Sequence, residues 1–122
     1  MSDPVSVSTQ DGVAVITLSN PPVNGLGFAV RTGLQTILQT TLGDDTVRAL
    51  VLNGSGKMFS GGADIREFGR TTPPGTPALP ELINMIEAAE KPIVAAIHGV
   101  ALGGGCELAL GCHARLAAPD TR

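Results

Sequence analysis

The feature of this sequence that most constrains its fold is a buried-strand pattern that runs into three glycines and then a helix, at Leu102–Leu108. Glycines at a strand-to-helix corner let backbone N–H groups face a ligand, and the helix N-terminus adds a positive field. The corner therefore suits a developing negative charge such as an oxyanion. Glu107 is the carboxylate in the first turn of this predicted helix, and it is the best catalytic candidate.

The neighbours of Glu107 distinguish it from an ordinary surface carboxylate. It lies between Cys106 and Leu108 in an apolar, glycine-flanked helix start, where a charge costs free energy unless something uses it. A desolvated carboxylate favours its neutral form and can exchange protons near neutral pH. We therefore favour a catalytic role over a structural one, in which Glu107 would pair with Arg115 or with a backbone amide.

A second glycine-rich corner, Phe59–Arg66, follows another buried strand, Val47–Leu52. Its Asp64 is predicted to cap a helix start, because an acid at that position more often satisfies unpaired N–H groups than catalyses a reaction. Ligands gather at the carboxyl ends of strands in open α/β sheets. The two corners, Ser60–Asp64 and Gly103–Glu107, are therefore predicted to line one crevice.

The rest of the chain alternates between strand and helix patterns. A turn at Gln10-Asp11-Gly12 predicts a hairpin, and apolar spacing predicts two amphipathic helices separated by a proline-rich loop. The order of elements predicts an α/β fold with a mainly parallel sheet. The predicted strands are Val5–Ser8, Val13–Leu18, Val47–Leu52, Ile93–His98 and one within Cys112–Ala118, the predicted helices are Phe28–Leu42, Ala78–Glu90 and one after the three glycines, and the loop is Arg70–Pro80.

Composition excludes several classes of protein. With 122 residues, 43% of them hydrophobic, and a net charge of -3, the chain is expected to be one domain or part of one. No apolar run reaches the roughly 18 residues of a membrane helix. We see no secretory signal, so a cytoplasmic setting is expected. The absence of a basic cluster, with only three phenylalanines as aromatic residues, argues against nucleic acid as a partner.

Other motifs carry weaker signals. Gly54-Ser55-Gly56-Lys57 lacks the first glycine and the Ser/Thr of a P-loop, and Gly103–Gly105 lacks the third glycine of a dinucleotide fingerprint. Cys106 and Cys112 are expected to be reduced core thiols. Neither histidine has metal-type spacing, so both are expected to be packing residues and no metal site is predicted.

The two corners together, MFSGGADI at Met58–Ile65 and HGVALGGGCELAL at His98–Leu110, resemble the enoyl-CoA hydratase/isomerase (crotonase) family. The likeness covers essentially all of the chain, including the hairpin, Asn20–Asn24 and Lys91–Ala96. It implies the family's α/β fold, a crotonase (ClpP-like) spiral of β-β-α units. Residues 1–122 would be the N-terminal portion of a single domain, truncated before the C-terminal helices.

The resemblance also implies a reaction. In the family, the carbonyl oxygen of an acyl-CoA thioester lies between two backbone N–H groups, which match Ala63 and Gly104. Glu107 matches the first of two glutamates that hydratases use to add water to trans-2-enoyl-CoA, giving 3-hydroxyacyl-CoA in fatty-acid β-oxidation. No metal or redox cofactor is implied, and coenzyme A enters as part of the substrate. The implied substrate contacts are Gly61, Gly62, Ala63, Asp64, Ile65 and Gly103.

One departure from the family pattern limits this prediction. The second glutamate of the hydratases would lie beyond Arg122, so we expect little or no turnover from the isolated chain. A homo-oligomer is expected by resemblance. Asn20–Leu26 and Leu108–Arg115 look closer to multifunctional fatty-acid oxidation proteins, and NAD is expected only if their dehydrogenase domain follows. The alternatives are a Δ3,Δ2-enoyl-CoA isomerase and, from another class, a non-catalytic CoA-thioester-binding or assembly fragment.

Overall fold

Within residues 3–122, five strands form one sheet in which the spatial order is the order along the chain. The computed structural model describes residues 3–122. Strands β1 and β2 are antiparallel, and each later strand is parallel to the one before it, as the sequence predicts. The elements are strands β1 (Val5–Gln10), β2 (Val13–Leu18), β3 (Ala49–Gly54), β4 (Ile93–Ile97) and β5 (Ala114–Ala117), helices α1 (Phe28–Leu42), α2 (Leu79–Glu87) and α3 (Gly104–Gly111), and a short 3-10 helix (Ile65–Glu67).

The predicted hairpin between β1 and β2 is confirmed. Its two turn residues, Asp11 and Gly12, have φ angles of 54° and 81°, the left-handed conformation of a two-residue hairpin turn. The turn makes β1 two residues longer than predicted, because Thr9 and Gln10 still pair with Ala14 and Val13.

A single hydrophobic core lies between one face of the sheet and the three helices. Alternate residues of β2 and β3 are buried, as period-two spacing requires, and α1 covers them with its own buried stripe. The fully buried side chains of these three elements include Ile16, Leu18, Leu34, Leu38, Leu50 and Leu52.

Helix α1 and strand β2 have the predicted bounds, but the bounds of several other elements differ. Strand β3 begins at Ala49, two residues after the predicted start. Pro80 belongs to the first turn of α2, where the missing N–H of proline costs nothing because that group has no partner inside the helix. The same helix ends at Glu87 and not at Glu90, since the chain must turn before the extended Lys91-Pro92 pair that leads into β4.

Within residues 3–122, no helix is both long enough and apolar enough to cross a membrane.

Candidate active site

The two glycine corners lie side by side, because they follow the neighbouring parallel strands β3 and β4. Ser60 and Ala101 form an isolated parallel bridge between them. The Ser60 amide donates to the Val100 carbonyl oxygen (3.2 Å), and the Leu102 amide donates to the Ser60 carbonyl oxygen (3.1 Å). The structure thus brings the corners together, as predicted.

Glycine is required where the corners touch. Gly62 has a φ of 97°, and a Cβ atom there would lie 2.8 Å from the Leu102 carbonyl oxygen and 3.2 Å from the Gly104 amide nitrogen. Gly103, which precedes α3, has a φ of 52°. Both conformations disfavour a side chain, and at Gly62 the absence of a Cβ atom also lets the two backbone segments approach each other closely.

Two amides at this contact have no protein acceptor. Within residues 3–122, neither the N–H of Ala63 nor that of Gly104 donates a hydrogen bond to the protein. Their neighbours are engaged, because the Gly62 amide donates to Ser60 Oγ (3.1 Å) and the Gly105 amide donates to the Leu102 carbonyl oxygen (2.9 Å). The unpaired amides belong to the residues named as oxyanion donors in the sequence analysis.

A cavity of about 330 Å³ opens at these amides. It brings together Ala63, Gly104 and Glu107, the three predicted catalytic positions. Its other lining residues are Leu26, Arg31, Ala78 and Leu79. The cavity therefore combines an apolar wall, one carboxylate and two backbone positions whose amides are unpaired.

Glu107 is exposed, which corrects the expectation that it is desolvated. Successive helical residues are about 100° apart, so burial of Leu108 turns Glu107 away from the core and toward the cavity. Its side chain has no hydrogen-bond or ion-pair partner within residues 3–122. Arg115, the alternative structural partner, instead donates to the Cys112 carbonyl oxygen (3.0 Å).

Asp64 caps the 3-10 helix, as predicted. Its Oδ1 accepts from the Arg66 amide (3.1 Å) and Nε (2.9 Å), and its Oδ2 accepts from Arg66 Nη2 (2.8 Å). These bonds to Arg66 are the main cause that lowers the pKa of Asp64 to about 2. The carboxylate is therefore charged at neutral pH and occupied by structural bonds.

An apolar groove of about 540 Å³ lies on the other side of the first corner. Four predicted substrate contacts line it: Gly61, Ala63, Asp64 and Ile65. The remaining two, Gly62 and Gly103, do not line it; Gly62 is buried and Gly103 is exposed. The apolar residues of the groove are Pro22, Val23, Met58, Ile65, Val100 and Leu102. Since Ala63 lines both the groove and the cavity, the two spaces meet at its position.

A buried asparagine holds the first corner in place. Asn24 is 2% exposed, and its Nδ2 donates to the carbonyl oxygens of Ser55 and Met58, both at 2.9 Å. Ser60 Oγ donates to the Asn24 carbonyl oxygen (2.8 Å) and accepts from the Gly62 amide. The network fixes the Gly61–Gly62 peptide, and the next peptide, which carries the Ala63 N–H, is held where the Gly62 carbonyl oxygen accepts from the Leu26 amide (2.8 Å). We did not predict this role, and an isolated asparagine in an otherwise apolar segment is the signal that the sequence offered.

Glu67 was also missed. Both of its carboxylate oxygens accept from the Phe28 amide (2.9 and 3.0 Å), which caps α1 in place of its glycine N-cap. The bond joins the first corner to a helix that begins 39 residues earlier.

Both histidines are hydrogen-bonded, but His113 is exposed, so its expected role as a packing residue is wrong. His98 Nε2 bonds to the Gly56 carbonyl oxygen (2.8 Å), and His113 Nδ1 accepts from the Ile93 amide (3.0 Å). Cys112 is buried, and burial raises its pKa to about 11. Cys106 is exposed, so its assignment as a core thiol was wrong.

Comparison with known proteins gives a consistent result. A family model described as enoyl-CoA hydratase/isomerase matches residues 8–122. A peroxisomal bifunctional enzyme of Danio rerio is 55% identical over 105 residues, covering 86% of this chain and 14% of that protein. A Bacillus subtilis protein named as a probable enoyl-CoA hydratase is 42% identical over 123 residues, covering 97% of this chain and 48% of its own length.

The fold is shared as well. The crystal structure of an enoyl-CoA hydratase from Bacillus anthracis matches with a TM-score of 0.86 and 34% identity, covering 97% of this chain and 48% of that one. This likeness bears out the predicted crotonase architecture. The chain spans about half the length of the two bacterial proteins and about a seventh of the Danio rerio enzyme. Because the latter is named peroxisomal, a cytoplasmic setting for this chain stays a prediction.

Proposed function

The chain belongs to the enoyl-CoA hydratase/isomerase family, and we propose that it supplies the oxyanion hole and one catalytic carboxylate of an enoyl-CoA hydratase. The observation that carries the proposal is that Ala63, Gly104 and Glu107 line one cavity, and that the amides of the first two have no acceptor within residues 3–122. The substrate is a trans-2-enoyl-CoA, and the product is the 3-hydroxyacyl-CoA of fatty-acid β-oxidation.

The two amides polarise the thioester. Donors to the carbonyl oxygen stabilise the negative charge that develops there as carbon 3 is attacked, and each such donor is typically worth about 3 kcal/mol. Backbone donors held by the corner contacts need little reorganisation during the reaction. Polarisation also makes carbon 3 electrophilic, which directs water to that atom.

Glu107 activates the water. As the water oxygen bonds to carbon 3, the carboxylate accepts its proton, and the electron pair of the 2,3 double bond moves toward the thioester oxygen. The resulting enolate then takes a proton at carbon 2, which completes the addition of water. A second carboxylate, matching the other glutamate of hydratases, would share this proton transfer. Exposure of Glu107 to the cavity supports its access to water.

The apolar groove is the proposed binding site for the pantetheine arm of coenzyme A. With the thioester carbonyl at Ala63, the acyl chain enters the 330 Å³ cavity and the pantetheine arm of CoA follows the groove of about 540 Å³. The groove is lined mostly by apolar side chains, which suit the alkyl parts of that arm. We propose a cytoplasmic homo-oligomer as the setting for this site.

The test is hydration of crotonyl-CoA, followed by loss of enoyl-thioester absorbance. The protein from the complete reading frame is compared with its Glu107→Gln and Glu90→Gln variants, since Glu90 is an exposed carboxylate away from the cavity. We expect Glu107→Gln to lower kcat by at least about 100-fold and Glu90→Gln to leave it unchanged. Full activity in Glu107→Gln would refute the proposal.

Two further measurements distinguish the hydratase from an isomerase and from a non-catalytic binding protein. Conversion of a 3-enoyl-CoA to a 2-enoyl-CoA without hydration would identify an isomerase. Saturable binding of butyryl-CoA without turnover of either substrate would identify a non-catalytic CoA-thioester-binding protein.

A further inference from the structure

Among residues 3–122, Arg31 is the one cationic side chain that lines the cavity that holds Glu107. Arg31, on α1, is half-buried, and its guanidinium lies 5.5 Å from the centre of the Phe28 ring. Arg31 Nε donates to the Pro77 carbonyl oxygen (2.9 Å), and Nη1 donates to the Leu26 carbonyl oxygen (2.6 Å). Arg31 therefore joins α1 and the loop directly before it to the end of the proline-rich loop, 46 residues away.

The two carbonyl groups that accept from Arg31 belong to Leu26 and Pro77. The apolar wall of the cavity is formed by Leu26 itself and by Leu79, which follows Pro77 by two residues. A Cβ atom placed on Gly104 would lie 2.9 Å from Leu79 Cδ2 and 3.4 Å from Leu26 Cδ1. Both leucine side chains thus pack directly on Gly104, which lines the cavity. Pro77 precedes Leu79 by two residues and lies near the end of a segment, residues 70–78, that contains no helix or strand. The bond from Arg31 to Pro77 therefore helps to fix this wall, together with the packing of α2.

We infer that Arg31 is a positioning residue that sets the acyl-chain specificity of the cavity, by fixing the Leu26 and Leu79 walls relative to the Gly104 amide. The inference rests on the proposed function, since it assumes that an acyl thioester binds at Ala63 and Gly104. With the walls fixed, the cavity has a defined depth beyond the thioester carbonyl, and acyl chains longer than that depth are disfavoured.

The geometry of the side chain explains why arginine occupies this position. Its planar fork presents two donors in a fixed relation, which matches two carbonyls on separate segments, whereas a lysine ammonium is a single point donor on a flexible stem. Arg31→Lys therefore keeps the charge and loses the double anchor. Arg31→Met loses both, while retaining a side chain that can pack against Phe28.

The experiment measures kcat/KM for crotonyl-CoA and for trans-2-decenoyl-CoA, using the protein from its complete reading frame. We expect the decenoyl-to-crotonyl ratio to rise about tenfold in both Arg31→Met and Arg31→Lys, because a released wall lowers the penalty against the longer chain. Arg48→Met is the matched control, since Arg48 Nη2 also donates to a backbone carbonyl, that of Asp11 (2.9 Å), outside the cavity. Its ratio should equal that of the wild type.

A binding measurement supplies a readout that does not depend on turnover. The Kd of decanoyl-CoA should fall relative to the Kd of butyryl-CoA in both Arg31 variants, which parallels the rise in the decenoyl-to-crotonyl ratio. Amide hydrogen exchange should become faster in residues 70–79. A ratio and an exchange rate that stay unchanged in Arg31→Met would overturn the inference. Retention of the wild-type ratio in Arg31→Lys alone would also overturn it, because charge and not the double anchor would then be responsible.

Binding and hydration by the wild-type protein test the proposed function separately from the role of Arg31. If the wild type neither binds nor hydrates an enoyl-CoA, the proposed function fails and acyl-chain specificity fails with it. If the wild type is active and the Arg31 variants keep its decenoyl-to-crotonyl ratio, the proposed function stands and the inferred role of Arg31 is wrong.

Discussion

Replacement of Asn24 tests whether a buried side-chain network supports the candidate site. Nδ2 of this residue carries two hydrogens and has three carbonyl oxygens in reach, those of Ser55 and Met58 at 2.9 Å and that of Phe59 at 3.3 Å. Oδ1 accepts from the Asn20 amide at 2.9 Å. Two donated bonds and one accepted bond are therefore lost when the side chain is removed.

The magnitude follows from these bonds and from the backbone. A net contribution of about 1 kcal/mol for each of the three bonds gives a loss of about 3 kcal/mol in the free energy of unfolding for Asn24→Gly. Asn24 also has a φ of 53°, a left-handed conformation that glycine adopts freely and alanine does not. Asn24→Ala should therefore lose roughly 1 kcal/mol more than Asn24→Gly, a total of about 4 kcal/mol.

Urea denaturation followed by far-ultraviolet circular dichroism measures both values. Asn84→Ala is the control, since Asn84 is exposed on α2 and its replacement should change the free energy by no more than about 0.5 kcal/mol. A loss below about 1 kcal/mol for Asn24→Gly would refute the claim that the network anchors the corner. Equal losses for the glycine and alanine variants would refute the assignment of backbone strain.

Three further predictions concern single positions. Gly62→Ala places a Cβ atom 2.8 Å from a backbone carbonyl oxygen of the second corner and should lower kcat/KM for crotonyl-CoA more than tenfold, whereas Gly56→Ala, at a similar φ of 74° with open space around it, should not. The lowered pKa of Asp64, about 2 against an ordinary 3.8, stabilises the fold above about pH 4, and this stabilisation is lost as pH falls through 2. In urea titrations from pH 5 to pH 2, Asp64→Asn should therefore lose less stability than the wild type. Burial, which raises the pKa of Cys112 to about 11, predicts that in a Cys106→Ser background its thiol reacts with a disulfide reagent at pH 8 only after unfolding.

Local patterns predicted the elements whose determinants are close together in the sequence. The apolar spacing of Phe28–Leu42 and the glycine after it gave both ends of α1, and Asp11-Gly12 gave the hairpin. The predicted meeting of the two corners also rested on a local rule, since each corner follows a buried strand and parallel neighbours end at the same edge of a sheet. These predictions succeeded because tertiary structure did not override the local preference.

The contacts that shape the site depend on proximity that appears only on folding. Glu67 caps α1 from 39 residues away, and Arg31 reaches Pro77 across 46 residues. No spacing rule links such pairs. At Glu107 a local pattern gave a wrong prediction. Its apolar sequence neighbours suggested that it is buried, but a helix places successive side chains on different faces, and Glu107 is exposed. Sequence neighbours therefore predicted its segment correctly and its surroundings wrongly.

The two proposed oxyanion donors depend on different kinds of support. The Gly104 amide opens helix α3, so its direction is set by the helix that follows it. The Ala63 amide belongs to no helix. Its own peptide is held by the Leu26 amide, which donates to the Gly62 carbonyl oxygen (2.8 Å), and the peptide before it by Ser60 Oγ, which is itself bonded to Asn24. Catalysis by such donors requires that they be fixed before charge develops. Substitutions away from the site are therefore expected to affect the Ala63 donor more than the Gly104 donor. Changes at Asn24 and Ser60 should therefore reduce kcat while the helix that carries Gly104 and Glu107 remains folded.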